Sequence, residues 1–176
     1  MVRCLALAAA VSLAPYRAPC DLVLTNAIVV APPDAPLPVR LAIDDVRHDA
    51  RVATGHTLAA ATAVPPAAAA VIIPGVAGQS ALLTDLERRG VLDLAPLRGQ
   101  WEAYALVPLT NPFPGVDAAL VIAGSDERGA LFALYDASER LFGTDPQRFW
   151  TGHRPAHTVM PVWRGPPVWV PPPGFR

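Results

Sequence analysis

Two hydrophobic patterns alternate along this chain. Short unbroken apolar runs, bounded by proline or glycine, give way to longer stretches in which apolar residues recur every three or four positions. The first pattern marks strands buried on both faces, and the second marks helices that lie on them. A strand is expected from Leu22 to Val30, ended by the prolines at 32, 33, 36 and 38. A helix over 40–54 follows, with Leu41, Ile43, Val46, Ala50, Val52 and Ala53 near helical spacing and Gly55 as its C-terminal cap. The segment HTLAAATAVPP reads as a connector. A short buried strand, Ala69 to Ile73, precedes a helix over 79–89 that stops at Gly90.

Alternating side chains predict a strand over 101–108, with Trp101, Ala103, Ala105 and Val107 on one side. NPFPG is a turn, 118–123 is the next buried strand, and 127–142 is the third helix. The last helix carries two apolar rows, Leu131, Leu134, Ser138 and Leu141 on one and Phe132, Tyr135 and Phe142 on the other, with Arg128 and Glu139 in line with the second. After Gly143 the period is lost in a segment rich in proline and aromatics, which reads as an extended stretch laid over something else or a linker.

The order strand, helix, strand, helix, strand, strand, helix is that of an α/β layer structure. The neighbouring strands 101–108 and 118–123 suit an antiparallel pair, so a mixed sheet of about four strands with three helices is expected. The chain divides into an apolar N-terminus over 1–20, an α/β domain over 21–146, and a Pro/aromatic-rich tail over 147–176.

Composition narrows the function classes. With 52% hydrophobic and 16% charged residues among 176, the chain can build a core and is not a disordered segment. Its net charge of −1, with all 14 basic residues arginine, leaves no basic stripe for nucleic acid. The run from Cys4 to Ala14 suits a signal-peptide core or a merely apolar N-terminus, and Pro15 makes a poor cleavage context. No later run is long enough for a membrane helix. The two cysteines, Cys4 and Cys20, match no zinc spacing and would pair only in an oxidising compartment.

Two loops invite a chemical reading. PGVAGQS, from Pro74 to Ser80, joins a strand to a helix as anion-binding loops do, but it lacks the third glycine and the lysine of a phosphate loop, so a tight turn is the better account. GSDERG is richer. Ser125 or Asp126 caps the third helix, and Glu127 stands where the helix dipole favours negative charge. Arg128 is left unexplained by capping. Gly129, which costs about 1 kcal/mol of helix propensity against alanine, implies a close neighbour, such as another backbone. Glu139 is expected either to pair with Arg128 or Arg140 or to face a partner. His153 and His157 are four apart, but Pro155 between them spoils a helical metal pair, and His48 and His56 belong to no motif. No cofactor is expected.

From AVIIPG through GQS, LRGQWEAY, NPFPGVDAALVIAGSDERG and FALYDASE, the chain resembles glycoside hydrolase family 115, the xylan α-1,2-glucuronidases. IDDVRHDARVATG is similar to the first helix of that family, so the resemblance spans about residues 40–150. It departs after ERLFG, where TDPQRFWTGHRP stands in place of a tryptophan-rich segment. The resemblance implies a non-catalytic α/β domain, similar to the one preceding the barrel in hexosaminidases and α-glucuronidases. Its catalytic carboxyls would lie in a TIM barrel beyond Arg176, its partners would be that barrel and glucuronoxylan, and its setting would be extracellular. Within that reading Glu139, Ser125, Asp126 and Arg128 are the residues expected to reach a substrate pocket. The aromatic face of Phe132, Tyr135 and Phe142 would then be covered by the barrel, or by the tail folding back. The alternative is a free-standing carbohydrate- or anion-binding module that stacks its ligand on Trp150, Trp163 and Trp169.

Overall fold

The computed structural model describes residues 21–31, 33, 35–145, 147–152 and 161–172. Among these residues eight strands form two sheets. They are β1 (Leu22–Val23), β2 (Ile28–Val30), β3 (Ala59–Ala61), β4 (Ala68–Val76), β5 (Tyr104–Phe113), β6 (Val116–Gly124), β7 (Val162–Trp163) and β8 (Val168–Val170). Helix α1 (Leu37–Thr54) joins β2 to β3, α2 (Ala81–Arg88) follows β4, α3 (Glu127–Phe142) follows β6, and α4 (Arg148–Thr151) is a single turn. The main sheet runs in the order β3-β2-β4-β6-β5-β8, and β1 pairs with β7 in a small second sheet. β2, β3, β4 and β6 are mutually parallel, whereas β5 runs antiparallel to both β6 and β8. The mixed sheet expected from the sequence is therefore present, with more strands than the pattern showed.

The sheet is buried on both faces, which is why its strands read as continuous apolar runs. Val29, Ile72, Leu106, Leu120 and Ile122 face α1 and α3, while Val71, Ile73, Ala105, Val107 and Val121 face α2 and the loop after it. On the first side the two helices meet through small side chains, Ala42 and Ala50 on α1 and Ala130, Ala133 and Ala137 on α3, all buried. Two polar contacts fix their alignment: the Tyr135 hydroxyl donates to Asp45 at 2.8 Å, and the Ser138 hydroxyl to buried Asp49 at 2.6 Å. No helix among the described residues is long and apolar enough to cross a membrane.

Several expectations change. The run 22–30 is two strands in different sheets, broken by a turn at Thr25 and Asn26, because its first half pairs with Val162 and Trp163. The supposed connector contains β3, an edge strand of three alanines with no period to betray it. Helix α1 begins at Leu37 rather than at 40, since Pro38 is tolerated in a first turn whose N–H groups have no intrahelical partner. Leu41 and Val52, counted as apolar-face positions, are exposed. β5 starts at Tyr104, leaving Trp101 outside it, and continues through a bulge at 110–113 into what read as a turn. Phe142 belongs to the core and not to a second aromatic face, because it lies on the Leu134–Ser138 row at intervals of four. The tail adds β7 and β8, and Trp163, only 5% exposed, is a core residue.

Candidate functional site

The parallel strands and their antiparallel neighbours end on one row. Val76 lies opposite Gly124, Gly124 opposite Tyr104, and Tyr104 opposite Val170. This carboxyl edge of the sheet is where α/β folds hold ligands, above all where consecutive helices leave to opposite faces. Such a switch point lies between β2 and β4, since α1 packs on one face and α2 on the other. The crevice there, lined by Pro36, Val39, Gly75, Val76, Gln79 and Ser80, holds about 80 Å³. That is well below the ~300–1,000 Å³ of pockets that enclose a small molecule. Its glycine has a packing reason, as a Cβ on Gly75 would stand 2.8 Å from the Ser80 Cβ. Ser80 caps α2 through a long 3.5 Å bond from the Leu83 N–H. PGVAGQS is thus a tight turn into a helix.

The GSDERG loop lies at the same edge and is bound to the start of β5. Asp126 is the cap of α3: Oδ1 accepts the Gly129 N–H at 2.7 Å, and Oδ2 accepts the Glu102 N–H at 2.7 Å. Ser125 brackets Ala103, accepting its N–H on Oγ at 3.0 Å and donating its own N–H to the Ala103 carbonyl at 2.8 Å. The Arg128 guanidinium sits 2.7 Å from Oε1 of buried Glu102 and 6.0 Å from the Phe132 ring centroid. Gly129 is required because a Cβ there would collide with the Ala103 carbonyl, so the close neighbour implied by the sequence is the backbone of β5. These contacts hold Glu102 in the left-handed region at φ 54°, a conformation costly for a residue with a side chain.

Ser125, Asp126 and Arg128 therefore converge on Glu102 and Ala103. Glu139 does not join them. It lies eleven residues beyond Arg128 on α3, about 16 Å along the axis at 1.5 Å per residue, and it is exposed. Neither expected arginine pairs with it: Arg128 holds Glu102, and Arg140 donates to Asp136 at 2.8 Å. That same Asp136 accepts a hydrogen bond from the Tyr104 hydroxyl at 3.2 Å. Burial, then the Asp136 carboxylate, push the Tyr104 phenol up from 10.0 to about 12, against a smaller opposing pull from Arg140.

Chemically the loop is a clasp. Both Asp126 oxygens are taken up by backbone donors and Glu102 by an arginine, which differs from the acid and base pair of a glycosidase, spaced about 5–9.5 Å apart around a bond. Among the described residues no three His, Cys, Asp or Glu side chains gather to hold a metal ion. His48 Nδ1 lies 3.3 Å from Arg51 Nη2 in an exposed contact on α1. His153, His157, Cys4 and Cys20 lie outside the described residues. The sequence reading missed Glu102 and Trp101, which it placed within a strand. The signal available was Gly99 and Gln100 just before them, a turn that delays the strand.

No family model matches the chain, and no curated protein aligns with it. Among solved structures its fold is similar to that of BtGH115A, a family GH115 4-O-methyl-alpha-glucuronidase with specificity for decorated arabinogalactans. The TM-score is 0.64 and the identity 22%, over 82% of this chain and 17% of that enzyme. The chain thus spans about a sixth of the enzyme it matches, and the family resemblance read from its motifs has a counterpart in the fold.

Proposed function

We propose that this chain is a non-catalytic domain of a family 115-like α-glucuronidase, an extracellular glycoside hydrolase that releases (4-O-methyl)glucuronic acid from xylan. The observation that carries this reading is the fold likeness itself, which takes in 82% of this chain but only 17% of a glucuronidase. The chemistry of the described residues supports it, because the Asp126 and Glu102 carboxylates of the clasp are committed to holding the fold. The partner in this reading is a barrel domain bearing the catalytic carboxyls. A segment continuing from β8 would emerge at the carboxyl edge, on the row of Tyr104 and Gly124. Ser125, Asp126 and Arg128 would stand near that junction, while Glu139 lies towards the far end of α3.

Purified chain 1–176 incubated with glucuronoxylan is expected to release no uronic acid, measured by anion-exchange chromatography. Release by a preparation free of other hydrolases would overturn the non-catalytic assignment. The reading as a free-standing module stacking ligands on Trp150, Trp163 and Trp169 loses one of its three residues, since Trp163 is in the core.

A further inference from the structure

We draw no further inference here: the strongest candidate, the outward surface of the α1–α3 helix pair with exposed Leu37, Leu41, Val52 and Phe132, is an apolar face for which nothing in the structure shows what covers it.

Discussion

At the scale of single residues, the informative positions are those where a general preference is overridden by a neighbour. Gly129 is the clearest. Alanine in the first turns of a helix normally gains about 1 kcal/mol over glycine. Here the added methyl would enter the Ala103 carbonyl, a backbone atom that the Ser125 bonds prevent from moving. Gly129→Ala is expected to destabilise by roughly 1–3 kcal/mol, read as a lower urea midpoint at an unchanged slope. A midpoint that rises would show the contact to be soft. Tyr104 gives a pH signature. Its phenol is raised to about 12 in the fold from 10.0, so the folded chain holds its proton more tightly than the unfolded chain does. The resulting stability is complete below pH 10 and is lost as pH rises towards 12. Tyr104→Phe should flatten stability over that window, measured by denaturant melts at stepped pH.

At the scale of elements, α3 shows how two rows of similar residues are sorted by packing. The alanines let α1 approach, Ser138 and Tyr135 lock the alignment through Asp49 and Asp45, and Phe142 is drawn into the core. Glu139 lies outside that seam, exposed, while Arg128 and Arg140 pair with Glu102 and Asp136. Glu139→Gln should therefore leave the melting temperature of this chain where it is, within about 0.5 kcal/mol of stability. A marked drop would mean that the carboxylate is structural and would end its candidacy as a residue facing a partner or substrate. The expectation of an aromatic face shrinks to Phe132 and the half-buried Tyr135.

At the scale of the whole molecule, the tail completes the fold. β8 covers the outer edge of β5 at Tyr104, Ala105 and Leu106, and β7 pairs with β1 while placing Trp163 in the core. An uncovered apolar edge strand is a template for pairing between chains. A chain ending at residue 152 is expected to aggregate, or to melt well below the full chain, by light scattering and calorimetry. A monodisperse product with an unchanged melt would show that the tail is dispensable.

Features set by local chemistry are legible in the chain before it folds. The three helices α1, α2 and α3 and the long buried strands follow from periodicity, the stop of α1 from Gly55 in its left-handed conformation, and the cap of α3 from an acid directly before the helix. GSDERG was legible as a cap and Gly129 as a close approach, because both are consequences of neighbours along the chain or of a missing Cβ. The tertiary structure alone decided the rest. β3, β7 and β8 are too short to carry a period and exist because a neighbouring strand offers unpaired backbone groups. The break of 22–30 into two strands, the partner of Arg128, the separation of Glu139 from the loop and the exposure of Trp101 all depend on residues distant in the chain. Burial and pairing are properties of the assembled layers, and no local pattern encodes which remote backbone or charge a side chain will meet.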